Sequence, residues 1–180
     1  MSRDGENVRV RRTRKLLRDA LIELIEEHGF DALTVGRITE QAMVSRAAFY
    51  RNYRDKYHLV EQIFDDAMDT LLSTVDESVV DRWTGFFDHI AEHERFYRAM
   101  LGTGGSSWFA ARMRASLARM STAHLGTPED DLAPTVLGAM FVQSITWWLE
   151  HDRPVPASVI AARSGRMARL IIEEARGWGL

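Results

Sequence analysis

The stretch VSRAAFYRNY, Val44 to Tyr53, sets three aromatic rings and two arginines within ten residues. Wound as an α-helix it divides by phase. Phe49 shares a face with Val44 and Tyr53, whereas Ser45, Arg46, Ala48, Tyr50 and Arg51 lie largely on the other side. The first face suits anchorage to Leu33 and Ile38; the second suits contact with something outside the domain. Ser45 is the expected N-cap of this helix, which runs from Arg46 to about Tyr53.

Upstream, Thr34 is the expected cap of another short helix over Val35 to Ala42, with Met43-Val44 as the turn between the two. Two short helices so joined form a helix-turn-helix candidate. Before them, an amphipathic helix from about Val8 to His28 carries Leu17, Ala20, Leu21, Leu24 and Ile25 on one face, and Gly29 supplies a left-handed stop. After them, Asp55 caps a long helix, Lys56 to about Val75, whose buried stripe is Leu59, Ile63, Phe64, Ala67, Met68 and Leu71. Further helices are expected at about 78–93, 94–101, 106–124, 132–151 and 157–176. Pro134 fits only in a first turn, and Pro154-Val155-Pro156 ends one helix and opens the last. The fold class is therefore all-α. A three-helix helix-turn-helix domain spans residues 1–54, and a C-terminal helical ligand and dimerisation domain spans 55–180, connected by the 55–75 helix.

The 180 residues are 46% hydrophobic, enough for a compact core. Cysteine is absent, which excludes disulfides, thiolate nucleophiles and cysteine-based zinc sites. No apolar run approaches the ~20 residues of a membrane span, and no apolar h-region follows the basic start, so a cytoplasmic protein without a membrane partner is expected. Residues 1–60 hold 12 Lys and Arg against 9 Asp and Glu, net +3, while residues 61–180 hold 11 against 17, net −6. A basic front on an acidic chain suits a polyanion at one end only.

The presenting face of VSRAAFYRNY has the chemistry of a DNA-reading surface. Ser45 and the free N–H groups at the helix start suit a phosphate. Arg46 has the reach for a bidentate contact to guanine, and Ala47 and Ala48 let the backbone approach base edges. Tyr50 offers a phenol to a phosphate, and Lys56 adds its charge to the positive end of the next helix. The basic run Arg9, Arg11, Arg12, Arg14, Lys15 and Arg18 adds either an arm for further phosphate or minor-groove contacts or a solvated helix face.

From Thr13 to about Leu71 the chain resembles the DNA-binding domain of the tetracycline-repressor (TetR) family. The matching pieces occur in order: His28-Gly29-Phe30, Leu33-Thr34-Val35, Ile38-Thr39, Ala42, Val44-Ser45, Phe49-Tyr50, Tyr53, and Lys56 followed by Leu59. The resemblance implies a homodimeric one-component transcription regulator, most often a repressor, which binds a palindromic double-stranded DNA operator and is released by a small, apolar effector. It is not an enzyme, and no cofactor or metal is implied. By position, Thr34, Ser45, Tyr50 and Lys56 correspond to phosphate contacts, and Arg46, Ala48 and Arg37 to the base-facing set. One departure stands out: Met43 occupies the turn position where the family usually has glycine, so a left-handed turn there is strained or altered. That departure sustains a rival reading, a TetR-like coactivator that acts through protein contacts without operator binding.

Farther along, FYRAML, WFAARM and TWWLEHDRPVP resemble the short regulatory domain of a TetR subgroup that includes dihydroxyacetone-kinase-operon regulators. Phe86, Met100, Trp108, Phe109, Met113 and Trp147 are candidates to line an effector pocket, with His89 and Gln143 to orient the ligand; core packing accounts for the apolar ones equally well. Two stripes are candidate dimer faces: Gly138, Phe141, Ile145 and Trp148 on one helix, and Val159, Ala162, Arg163, Arg166, Met167 and Leu170 on the next. Either stripe could instead face its own core. His89-Ile90-Ala91-Glu92-His93 matches an inverted zinc-peptidase pattern but lacks a third ligand, and GTGGSS at 102–107 lacks the lysine of a phosphate loop and reads as a flexible break.

Overall fold

The computed structural model describes residues 3–73, 79–125 and 131–177. Its described residues form helices and no strands: α1 (Arg3–His28), α2 (Val35–Gln41), α3 (Arg46–Asn52), α4 (Lys56–Ser73), α5 (Val79–Glu92), α6 (Glu94–Leu101), α7 (Ser107–Leu125), α8 (Leu132–Glu150) and α9 (Ala157–Arg176). The expected boundaries hold within a few residues. α1 starts five residues earlier than Val8, because the polar segment ahead of it continues the helix without an apolar stripe to announce it. Val75 and the start of the 78–93 helix lie outside the described residues, as do the side chains of Ala67 and Leu71.

The first three helices close around Leu17, Leu21, Leu33, Ile38, Phe49 and Tyr53, all buried. Thr34 and Ser45 cap α2 and α3: the Thr34 hydroxyl accepts from the Arg37 N–H at 3.3 Å, and the Ser45 hydroxyl from the Ala48 N–H at 3.2 Å. Gly29 ends α1 at φ +74°. α1 also packs on α6 and α4 on α5, so the two domains share a junction.

In the C-terminal domain α8 lies against α7, and α9 packs on α5 and α8. The α7–α8 approach is close because Gly138 has no side chain: a Cβ there would run into the Arg114 carbonyl oxygen and press on Ala118. Pro134 sits in the first turn of α8, where its missing N–H costs no helix bond. α8 is also long and apolar enough to cross a membrane, with a mean hydropathy of 1.3, which corrects the reading that no run reaches that length. Half of that window is buried within the fold, so its composition reflects two apolar faces of a packed helix, one inward and one outward.

The α8–α9 connection is strained and tied down. Asp152 and Arg153 both take left-handed φ, 53° and 54°, immediately before Pro154. Their side chains reach α6, where Asp152 pairs with Arg98 at 3.1 Å and Arg153 with Glu94 at 2.9 Å. The Trp148 indole donates to the Val155 carbonyl at 2.8 Å. The Gly102–Ser107 segment, expected as a flexible break, is likewise an ordered turn. Ser106 N–H donates to the Met100 carbonyl at 2.8 Å, Gly105 N–H to the Gly102 carbonyl at 2.9 Å, and the Ser106 hydroxyl caps α7 through the Phe109 N–H. Gly102 and Gly105 approach the Arg98 and Met100 carbonyls so closely that no side chain fits, so these two serve tight packing, while Gly104 supplies a left-handed φ of +79°.

Candidate nucleic-acid interface and effector region

The division of VSRAAFYRNY by phase is present in three dimensions. Phe49 is fully buried and Tyr53 nearly so, while Tyr50 is 58% exposed and Ser45, Arg46 and Arg51 are exposed beside it. Phe49 meets Tyr50 edge-on at 5.5 Å and Tyr53 at 5.6 Å, which fixes the phenol of Tyr50 outward. Ala48 is half-buried at the inner edge of this surface, and Thr34 and Arg37 extend it along the start of α2. Met43 takes φ 51°, so the left-handed turn is kept without glycine, and its side chain is 91% exposed. The departure from glycine therefore leaves the relation between α2 and α3 intact at the cost of local strain.

Gly36 belongs to this candidate surface, and the sequence reading missed it. A Cβ there would stand 2.7 Å from a terminal nitrogen of Arg46, so the guanidinium lies against the Gly36 backbone beside Thr34. A glycine inside a seven-residue helix is unfavourable by propensity, and that was the available signal. In the basic run, Arg9, Arg11, Arg12 and Lys15 are exposed on α1, but two members have other positions. Arg14 reaches Asn52 at 3.5 Å and braces α3. Arg18 is half-buried, and its charge acts on His89, His93 and Tyr97 in the other domain.

Lys56 is turned toward the protein. Its ammonium donates to the Phe30 carbonyl at 2.9 Å and the Asp31 carbonyl at 3.1 Å, and it stands 4.5 Å over the Phe30 ring. Partial burial pulls its pKa down, opposed by the charge of Asp31. Phe30 stacks on Trp108 at 6.4 Å, Tyr57 meets Trp108 edge-on at 4.9 Å, and the Phe30 N–H donates to the Gly104 carbonyl at 3.3 Å. Lys56 thus latches the start of α4 to the α1–α2 loop, which Phe30 in turn ties to the α6–α7 turn. Replacing it with methionine is expected to lower stability by about 1–2 kcal/mol, from two lost charge-assisted hydrogen bonds, and to leave the salt slope of DNA binding unchanged. Thermal unfolding and a salt titration check this; a slope flattened by about one unit with unchanged stability would make Lys56 a phosphate contact instead.

The expected pocket residues do not share one cavity. Phe86, Met100, Phe109 and Met113 are fully buried in the common core, with Phe109 edge-on to Phe64 at 5.6 Å and to Phe96 at 5.7 Å. Trp108 belongs to the domain junction instead. Gln143 and Trp147 face outward on α8, because the inner side of that helix is taken by Leu137, Val142, Ile145 and Trp148. A cleft of about 480 Å³ lies between α5 and the α8–α9 connection, lined by Asp88, Ala91, Trp148 and residues 152–157, and none of the expected pocket residues borders it. His89 stays beside the core with its Nε2 buried and without a hydrogen-bond partner.

One of the two expected dimer stripes is turned inward. Gly138 contacts α7, Phe141 packs on Trp83 at 4.3 Å, and Ile145 and Trp148 are buried, with Trp148 edge-on to Phe87 at 5.4 Å. These four serve their own chain's core, and this corrects the reading of that stripe as a contact face. On α9, Val159 is half-buried, while Arg163, Met167 and Leu170 are exposed. The outward side of α8 carries Leu132, Val136 and Trp147, so apolar surface is exposed on both helices. His89 and His93 approach to 4.5 Å between ring centroids, but no group of three metal-ligating side chains occurs among the described residues.

Residues 17–63 match the family described as bacterial regulatory proteins, tetR family. Among curated proteins the chain is 23% identical over 163 residues to YxbF of Bacillus subtilis, an uncharacterized HTH-type transcriptional regulator, covering 82% of this chain and 42% of that protein. It is 32% identical over 96 residues to YdeS of the same organism, described in the same words, covering 51% of this chain and 45% of that protein. The matches span less than half the length of these relatives. Among solved structures, a TetR transcriptional regulator from Streptococcus agalactiae superposes with a TM-score of 0.66 at 19% identity, covering 91% of this chain and 97% of that one. The dihydroxyacetone kinase operon activator DhaS superposes with a TM-score of 0.57 at 13% identity, covering 89% and 96%.

Proposed function

We propose that this chain, whose residues 17–63 match the TetR family model, is a DNA-binding transcription regulator rather than an enzyme, and that it acts in the cytoplasm as a homodimeric one-component repressor whose α3 helices read two halves of a palindromic operator. The observation that carries this reading is the sorting of α3: Phe49 and Tyr53 inside, Ser45, Arg46, Tyr50 and Arg51 outside. A helix used only for protein packing has no need of that exposed set, and a left-handed Met43 that keeps the turn favours operator binding over the coactivator alternative. The apolar sides of α8 and α9, with Leu132, Val136, Trp147, Met167 and Leu170, support self-association as a four-helix contact. An effector that enters beside His89 and Tyr97, next to α1, would reposition the reading domain and release the operator.

Arg46→Ala tests the reading. In fluorescence anisotropy on the DNA upstream of the protein's own gene, it is expected to weaken specific binding about 5- to 150-fold, which corresponds to 1–3 kcal/mol, and to leave nonspecific binding nearly unchanged. Unchanged affinity and sequence preference would sink the reading. A transcription assay on the same fragment reads the sign of regulation, since the structural neighbour DhaS is an activator.

A further inference from the structure

Three groups on three helices converge where the two domains meet. Tyr97, on α6, is fully buried, and its hydroxyl has no hydrogen-bond partner. His89, on α5, stands 5.9 Å from it between ring centroids, and its Nε2 is likewise buried and unpartnered. Arg18, on α1, is half-buried, makes no ion pair among the described residues, and places its charge on His89, His93 and Tyr97 together. A buried phenol or imidazole without a partner is costly, and folded proteins leave few such groups. Two in one place, beside an arginine that makes no ion pair among the described residues and with Glu92 the carboxylate whose charge reaches the histidines, are arranged like a site whose own ligand supplies the acceptors.

The chemistry of the donors selects the ligand. Burial, the neighbouring His93 and the charge of Arg18 lower the His89 pKa to about 4 against the opposing charge of Glu92, so the ring is neutral and can offer an N–H. Burial raises the Tyr97 pKa, so the phenol keeps its proton. A guanidinium, a phenol and an imidazole N–H are all donors, which together suit an anion. The His89–His93 pair alone provides two metal ligands, and the Arg18 charge opposes a cation. Arg18 and His93 are half-buried at the outer side of this group, while Tyr97 is fully buried behind them and tilted on Phe109 at 6.3 Å.

We propose that Arg18, His89 and Tyr97 bind a small organic carboxylate with an apolar body, gripped between α1 of the reading domain and α5–α6 of the regulatory domain. This rests on the effector reading above and names the class of that effector. The carboxylate takes the Arg18 guanidinium and the two orphaned donors, while the apolar body faces Phe109. Because Arg18 belongs to the helix that braces α3, occupancy couples directly to the pose of the reading helix.

Thermal unfolding of the full chain, without DNA, tests the proposal with benzoate as probe and benzamide and sodium chloride as controls. Benzoate is expected to raise the melting temperature saturably, benzamide and salt to leave it unchanged. Arg18→Gln is expected to remove the benzoate effect. Tyr97→Phe is expected to weaken benzoate binding at least tenfold yet melt roughly 2–4 °C higher when free, since an unpaired buried hydroxyl is gone. A purely structural tyrosine would leave benzoate binding unchanged. Equal shifts with benzoate and benzamide, unaltered benzoate binding in both variants, or a zinc-induced shift lost in His93→Ala would each overturn the carboxylate site. If Arg18→Gln does not fold, Arg18→Lys must retain weakened binding. Benzoate binding without any loss of operator affinity would leave the site standing and remove the inducer reading alone.

Discussion

Replacing Met167 and Leu170 together with glutamate is expected to convert the protein to a monomer and to lower its operator affinity at least roughly a hundredfold. Leu170 is 63% exposed and Met167 45% exposed, one turn apart on α9, so the change disturbs no core contact of the single chain. In the proposed dimer, carboxylates there would face their own copies across a two-fold contact, and desolvating like charges is strongly unfavourable. Operator affinity follows, because binding two half-sites through one dimer exceeds binding each alone by about 10²–10⁴. Light scattering reads the mass and anisotropy the affinity. A dimer that persists with unchanged affinity would relocate the interface away from α9.

Gly138→Ala is expected to do the reverse: it lowers the stability of the fold by about 1–3 kcal/mol and leaves association intact. The added methyl has no space, since it meets the Arg114 carbonyl oxygen, a backbone atom that moves only if α7 and α8 part. Denaturant melts read the loss. If Gly138→Ala instead produced a stable monomer, α8 would present its glycine side to a partner, and the inward packing of Ile145 and Trp148 would have to be abandoned.

These two variants mark where the sequence was readable and where it was not. The short helices were legible because their polar caps, Thr34 and Ser45, and their apolar anchors, Ile38 and Phe49, agree on one geometry at close range. α8 was a different case. It is apolar on nearly every side, so periodicity could find stripes but had no polar face with which to decide that Trp148 turns in and Trp147 turns out. The inward bonds of Lys56 were not legible for a related reason: its partners are carbonyls more than twenty residues earlier, and no local pattern shows where a loop will place its oxygens. The ordered turn at Gly102–Ser107 escaped notice because composition alone does not separate glycine used for freedom from glycine used for closeness. Tyr97 and Arg18 left no motif, since what distinguishes them is the absence of partners, which only the packed structure reveals.

The connection between α8 and α9 joins strain and grip in the same two residues. Asp152 and Arg153 take up the unfavourable left-handed backbone, and their side chains are the ones that hold Arg98 and Glu94 of α6. Glycine at either position would relax the chain and remove one of the two ties to α6 in a single step. The connection therefore works as a clip, bent by backbone bonds to the Leu149 and Trp148 carbonyls and fastened to α6 by the side chains of the same two residues.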